Sequence, residues 1–211
     1  VRSYSVNILV TEVIEKYIGS DKTVISFSGV GNNPNGKINQ EFYNLNKQGY
    51  NVLFVIDKNR SWFNGIKVRS ITRKIKTEKV FCLGNSMGAF NACMFSTLYP
   101  VDAVLAFATQ YSVNHNIVPW EHRWDKYVKN IKKWKYKNLE FSENTRYLIV
   151  NGEEDGDEKH LSMIPNKDNI TKILLKGNHS IGLRLKKSGN LYPIINNFFK
   201  ENKVHDYLTQ T

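Results

Sequence analysis

Val80-Phe81-Cys82-Leu83-Gly84-Asn85-Ser86-Met87-Gly88-Ala89-Phe90-Asn91-Ala92 decides how this chain is read. An apolar run leads into Gly-x-Ser-x-Gly, and a helix-like stretch from Ala89 to Tyr99 follows. A serine between a buried strand and a helix sits on a sharp, strained turn with its hydroxyl exposed. The glycines two residues to either side are needed where a β-carbon would strike the neighbouring strand or helix. Ser86 is therefore the candidate nucleophile.

Working outward, apolar runs alternate with helical stretches. Strands are expected at Thr23 to Ser28, Asn51 to Ile56, Lys79 to Leu83, Ala103 to Ala108, Tyr147 to Asn151 and Ile173 to Lys176. Helices are expected at Ile38 to Lys47, Ala89 to Tyr99 and Leu191 to Lys200. This alternation predicts an α/β fold, a mostly parallel sheet with helices on both faces. In such sheets chemistry gathers at the carboxyl ends of the strands.

A serine hydroxyl needs a base, and the base needs an orienting acid. Of the five histidines only His179 directly follows a strand, in Lys176-Gly177-Asn178-His179, and it lies late in the chain as a Ser–acid–His order requires. Taken alone it would read as an ordinary loop histidine; order and context select it. The acid is expected after the strand at Tyr147 to Asn151, in Gly152-Glu153-Glu154-Asp155-Gly156-Asp157. Asp155, three residues past the glycine, is the choice, with Asp157 and Glu154 as fallbacks; the other carboxylates read as a solvated turn. The oxyanion hole calls for two backbone N–H groups, assigned to Met87 and Val30.

Two competing motifs weigh less. Asp155, Asp157, Glu158 and His160 lack the spacing of a calcium loop, so no metal site is assigned. Gly31-Asn32-Asn33-Pro34-Asn35-Gly36-Lys37 fits G-x-x-x-x-G-K, and Val52 to Asp57 resembles the strand that follows such a loop in nucleotide hydrolases. Ile38, however, stands where the magnesium-binding hydroxyl belongs.

The 211 residues suit one domain, 1–211, and 41% hydrophobic content is ordinary for a globular protein. No apolar run approaches the ~20 residues of a membrane span, and no signal pattern opens the chain, although Val1 is not a natural start. Cys82 and Cys93 read as small core residues suited to a reducing compartment. A cytoplasmic location, with membrane association as an alternative, is the expectation. The net charge of +11, from 30 Lys and Arg against 19 Asp and Glu, draws in anions or reflects a lysine-rich surface. With no helix-turn-helix, zinc-finger or RNP-like motif, charge is the whole case for nucleic acid, and nucleic acid is not the expected partner.

Between Ala108 and Tyr147 the rhythm breaks. Trp120, Trp124, Tyr127, Ile131 and Trp134 recur at steps of four, three, four and three, one face of a helix. Arg123, Lys126, Lys129, Lys132, Lys133 and Lys137 fall largely off that face. Residues 111–144 are thus expected to form an inserted helical cap, aromatic inward and basic outward. It reads as a lid or acceptor wall, as a plain surface helix, or as a membrane-surface helix.

These residues resemble the α/β-hydrolase superfamily, from about Thr23 to Phe199, in Ser28-Gly29-Val30, Gly84-Asn85-Ser86-Met87-Gly88, Gly152-Glu153-Glu154-Asp155 and Gly177-Asn178-His179. A narrower likeness, in Thr23 to Ser28 and in Phe107-Ala108-Thr109-Gln110, is to the enzymes of that fold that O-acetylate bacterial capsular polysaccharide. The resemblance implies an acyl-serine intermediate relieved by water or by a sugar hydroxyl. It implies no tightly bound cofactor, with acetyl-CoA as a candidate acyl donor and an anionic glycan as a candidate acceptor. Asp57 to Asn64 and the 111–144 segment depart from the superfamily pattern. Substrate contacts are expected there and at the end of the Ala103 strand, from Trp62, Gln110, Trp120 and Trp124. An inactive relative that uses the basic face for binding is the remaining alternative.

Overall fold

A computed structural model of the chain describes residues 11–31 and 39–209. Seven strands form one sheet: β1 (Thr11–Lys16), β2 (Lys22–Phe27), β3 (Asn51–Asp57), β4 (Lys79–Asn85), β5 (Ala103–Phe107), β6 (Arg146–Gly152) and β7 (Ile170–Leu175). The helices are α1 (Val68–Thr72), α2 (Met87–Ser96), α3 (Asp125–Val128), α4 (Asp157–Met163), α5 (Ile181–Lys187) and α6 (Leu191–Glu201). The sheet order is β1-β3-β2-β4-β5-β6-β7, with β1 antiparallel to β3 and every other pair parallel.

The six anticipated strands all form. The interiors of β3, β5 and β6 are continuously apolar because both faces of these strands are covered. β1 was not anticipated. Its two adjacent apolar residues, Val13 and Ile14, lie among Thr11, Glu12, Glu15 and Lys16, and such charged residues suit an edge strand, whose open side they protect. The order turns around between β2 and β4: the chain goes from β2 out to β3, then crosses back past β2 to β4. Loops after β2 and β4 therefore meet at a topological switch point, where open α/β sheets bind ligands.

Two apolar layers flank the sheet. On one face every residue of α2 is buried, as expected of a helix apolar all round. On the other, α6 buries Leu191, Ile194, Ile195, Phe198 and Phe199. Cys82 and Cys93 are both buried free thiols.

Two helix expectations fail. Ile38 lies outside the described residues, and the rest of Ile38 to Lys47 is turns ending in a 3₁₀ turn, Leu45–Gln48. Serines of β2 and its loop explain this: Ser26 Oγ donates to Glu41 O at 2.9 Å and Ser28 Oγ to Asn39 O at 3.0 Å, drawing the segment across the strand instead of into a helix. The long amphipathic helix through Trp120 to Trp134 is reduced to the single turn of α3. Asn64 supplies the reason. Its Oδ1 accepts the N–H groups of Lys135 and Tyr136, both at 2.8 Å, and its Nδ2 donates to Tyr136 O at 3.0 Å. These backbone groups are held by a distant side chain instead of by a helix ladder. Lysines crowded at positions 129, 132, 133, 135 and 137 also repel at helical spacing. Four of the five expected inward residues, Trp124, Tyr127, Ile131 and Trp134, still pack on the α2-side core, whereas Trp120 is exposed.

The seven-residue stretch at Gly31 to Lys37 that fits a phosphate loop lies, from Asn32 onward, outside the described residues. Asp57, which ends the strand that follows it, caps its own turn: Oδ2 accepts from Ser61 N and Ser61 Oγ, both at 2.9 Å.

Candidate active site

The Gly-x-Ser-x-Gly turn folds as its composition requires. Ser86 stands between β4 and α2 with φ 56° and ψ −124°, a conformation that costs on the order of 1–3 kcal/mol and persists only where packing imposes it. That packing is visible at the glycines. A β-carbon on Gly84 would lie 2.1 Å from Gly88 O, and one on Gly88 would lie 2.2 Å from Phe27 O. The second contact also shows how closely α2 rests on the end of β2. Ser86 N–H donates to Phe107 O at 2.9 Å, pinning the turn to β5.

His179 lies across from the serine. Its Nε2 is 2.8 Å from Ser86 Oγ. Its Nδ1 is 2.8 Å from Asp157 Oδ2 and 3.0 Å from Asp157 Oδ1. An ionised carboxylate only accepts, so Nδ1–H donates to Asp157 and Nε2 is left to accept the serine proton. The chosen acid, Asp155, is thus in the wrong place to hold the ring, and the fallback Asp157 takes that position. The cause is the turn. β6 runs on to Gly152, and the chain then needs Glu153 to Gly156 to reverse, so Asp157 is the first residue turned back under the sheet edge, where it is fully buried. Asp155 sits at the exposed tip with φ 60°, and its Oδ2 accepts the backbone N–H of His179 at 3.2 Å. It braces the histidine loop. Glu154 is exposed, and only its backbone N–H reaches that loop, donating to Gly177 O at 3.1 Å. A β-carbon on Gly152 would lie 2.4 Å from Gly177 O, so the acid and histidine loops meet backbone to backbone.

Of the expected substrate contacts, three surround this pair. Trp62 Nε1 donates to Gln110 Oε1 at 2.8 Å, which leaves the Gln110 amide nitrogen facing Ser86 Oγ at 3.4 Å. The Trp124 ring lies 5.3 Å from the His179 ring and 6.1 Å from Trp62. The fourth, Trp120, is displaced: it packs on His160 at 4.7 Å and faces solvent with 36% exposure. The Asp57 to Asn64 stretch carries Trp62 on a chain of left-handed residues, Arg60, Trp62 and Phe63. Met87 opens α2, where N–H groups have no helical acceptor. Val30 is buried on the β2 loop, and its carbonyl accepts Arg60 Nε at 2.8 Å while the guanidinium covers the Tyr127 ring.

Three of the six unsatisfied buried side-chain atoms among the described residues lie here. Among the described residues, Asn85 Oδ1, Thr109 Oγ1 and Trp124 Nε1 are buried without a partner, and each belongs to a residue beside Ser86, Gln110 or His179. Clefts of about 280 Å³ and 360 Å³ open on the flank, the first between Glu41, Asn85 and Lys186, the second between Asn178, Arg184 and Lys187. Burial raises the Glu41 carboxyl to about 7, against the opposing pull of a Gly29 N–H bond at 3.1 Å.

Sequence reasoning missed one group entirely. Arg123, assigned to the outward basic face, instead reaches inward, donating from Nη1 to Asp157 Oδ1 at 2.9 Å. Its other contacts are to Glu121, through Nε at 3.1 Å and Nη2 at 2.6 Å. Glu121 and His160 are buried, with Glu121 Oε2 2.9 Å from His160 Nε2. Burial alone would raise Glu121, but the bonds from His160 and Arg123 and the guanidinium charge outweigh it and hold its pKa at about 2. A signal was present: Glu and Arg two apart beside a tryptophan in an otherwise basic segment. The calcium-like grouping of Asp155, Asp157, Glu158 and His160 does not converge, because Asp157 and His160 face different partners. His115, His122 and Asp125 do gather on the surface, Asp125 bonding both rings at 2.9 and 3.1 Å.

No family model matches the chain, and no curated protein matches it by sequence. Solved structures do. The capsule O-acetyltransferase of Neisseria meningitidis serogroup A superposes with a TM-score of 0.66 at 18% identity, covering 90% of this chain and 92% of the other. A histidine-to-alanine mutant of that enzyme in complex with CoA gives 0.61 at 16% identity, covering 87% and 92%. A serine hydrolase of carbazole degradation gives 0.51 at 15% identity, covering 87% and 93%. At these identities the likeness is one of fold: the chain has the α/β-hydrolase fold. No helix among the described residues is long and apolar enough to cross a membrane.

Proposed function

We propose, with the α/β-hydrolase fold as premise, that the chain is a serine acyl-transfer enzyme, an O-acetyltransferase or esterase acting on a carbohydrate such as a bacterial surface polysaccharide. The observation that carries this reading is the chain of contacts Ser86 Oγ–His179 Nε2–His179 Nδ1–Asp157, with 2.8 Å at each end and the serine held at φ 56°.

In this reading His179 takes the Ser86 proton as Oγ attacks the acyl carbonyl carbon of the donor. The N–H groups of Met87 and Val30 hold the resulting oxyanion. The intermediate collapses to acyl-Ser86, and His179 returns the proton to the leaving group. An acceptor hydroxyl then gives its proton to His179 and attacks the acyl carbon, and His179 passes that proton to Ser86 Oγ as the acyl–serine bond breaks. Acetyl-CoA suits the donor role. Arg184, Lys186 and Lys187 of α5 flank the clefts beside the histidine loop, where phosphates would find positive charge. Trp62, Gln110 and Trp124 would line the acyl and sugar positions, and the unpartnered Trp124 Nε1–H is a donor for a substrate oxygen. The capsule enzyme with the same fold, and its complex with CoA, support this choice. The 111–144 segment serves as cap, on the same reading, and the acceptor is an anionic glycan matched to the +11 charge.

The test is labelling with a fluorophosphonate, followed by incubation with acetyl-CoA and de-O-acetylated capsular polysaccharides. Labelling is expected in the wild type and absent in Ser86→Ala, with acetyl groups transferred to sugar. Free acetate without acetylated sugar would replace transferase by esterase. A folded wild type that takes no label would remove the enzyme reading in favour of a binding protein.

A further inference from the structure

The reading of His179 as base leaves a buried arrangement unexplained, and the following inference rests on that reading. A carboxylate facing a neutral imidazole needs little more than its hydrogen bonds. Asp157 has in addition a guanidinium at 2.9 Å, and that guanidinium is itself matched by Glu121. We infer that Glu121 and Arg123 are a charge-setting pair of positioning residues: Arg123 fixes the rotation of the Asp157 carboxylate, and Glu121 cancels the positive charge so that the cluster still favours protonation of His179.

The geometry supports each half. Asp157 divides its oxygens: Oδ1 receives Arg123 Nη1 at 2.9 Å, and Oδ2 makes the shorter bond to His179 Nδ1 at 2.8 Å. With Oδ1 anchored by this charged bond from Nη1, the carboxylate is held with Oδ2 toward the imidazole. Arg123 unmatched would oppose the imidazolium that forms when Ser86 gives up its proton. Glu121 removes that conflict by engaging the far side of the same guanidinium, Oε1 accepting from Nε and Oε2 from Nε and Nη2. Formal charges of −1 on Glu121, +1 on Arg123 and −1 on Asp157 leave the cluster one negative charge, as a lone aspartate would. His160 adds none. Its Nδ1 accepts Tyr111 N–H at 3.3 Å, so its Nε2–H is the donor to Glu121 and the ring is neutral. The groups facing His179 are thus Ser86 Oγ, the Asp157 carboxylate backed by Arg123 and Glu121, the Trp124 ring, and the Asp155 carboxylate on its backbone N–H. Arg123 and Trp124 are consecutive, so one short stretch sets both the charge behind the imidazole and the ring beside it.

The experiment compares wild type, Glu121→Gln, Arg123→Met and the double variant. It reads the pH dependence of the fluorophosphonate labelling rate and, independently of activity, the titration of the His179 ring by NMR. Removing the negative charge in Glu121→Gln should move the acid limb and the ring titration down by about 1 pH unit. Removing the positive charge in Arg123→Met should move both up, and the double variant should return them close to wild type. Should Arg123→Met fail to fold because Glu121 is left buried and unpaired, Glu121→Gln and the double variant carry the test. If the pair only fastens the segment to the core, the variants lose thermal stability while limb and titration stay in place, and the inference falls. Absence of label on wild-type Ser86 overturns the acyl-transfer reading instead, and the ring titration still decides whether the pair sets the charge at His179.

Discussion

The elbow at Leu83 to Phe90 and the segment at residues 111–144 face the same histidine, and they are built on opposite principles. The elbow is local. Its conformation follows from glycines at two exact spacings, a strand before and a helix after, and backbone atoms packed 2.1–2.2 Å from where β-carbons would be. The 111–144 segment has one helical turn of its own. It is held by groups far away in the chain: Asn64 on Lys135 and Tyr136, Asp157 on Arg123, His160 on Glu121. A rigid turn can present one atom, whereas a segment fastened by side chains can vary its sequence between fastenings. The two regions thus divide the work between bond-making and surroundings.

The largest expected effect tests where the second region touches the chemistry. Asp157→Asn should lower the acylation rate by about 10³–10⁴-fold, because an amide at that place turns the imidazole to the wrong tautomer, while Asp155→Asn should cost less than about 10-fold. Steady-state kinetics on an activated ester measures both, and equal losses would return Asp155 to the role of orienting acid.

A pair of stability measurements sharpens the contrast. Gly84→Ala forces a β-carbon against backbone that cannot yield, and should cost about 3 kcal/mol or more of folding stability by urea denaturation. Asn64→Ala leaves the elbow untouched but releases the backbone of Lys135 and Tyr136, and should cost about 1–3 kcal/mol. It should also speed proteolysis at the lysines between 129 and 137. Proteolysis unchanged in Asn64→Ala would mean that the aromatic packing alone holds the segment.

The smallest effect lies on the elbow's flank. Glu41 has a pKa raised to about 7 against an ordinary 4.5, so the folded state binds its proton more tightly than the unfolded one. Stability from this group is present below pH 4.5 and lost as the pH rises through 7. Glu41→Gln keeps an acceptor for Gly29 N–H and removes the charge. It should therefore raise stability at pH 8 by about 2 kcal/mol or less and leave it unchanged at pH 4, as melting temperatures at the two values would report. A variant less stable at pH 8 would show the ionised carboxylate to be needed there.

Residue patterns alone determined six of the seven strands, the elbow and the histidine loop. The central strands are apolar in their interiors because both faces are covered, Ser86 is bracketed by the glycines its turn demands, and His179 follows the last strand. Each of these depends on residues a few positions apart, so each leaves a readable period or spacing. Tertiary structure alone decided which carboxylate meets the ring. Asp155 and Asp157 differ by half a turn of chain, and only the point at which β6 lets go of the sheet puts one at the tip and the other beneath it. It also decided the fate of Arg123 and of the Trp120 to Trp134 stretch. The period of 3.6 named most of the buried side chains but not their backbone, because Asn64, distant in sequence, takes backbone groups a helix would have used, while Asp157 draws the Arg123 side chain inward.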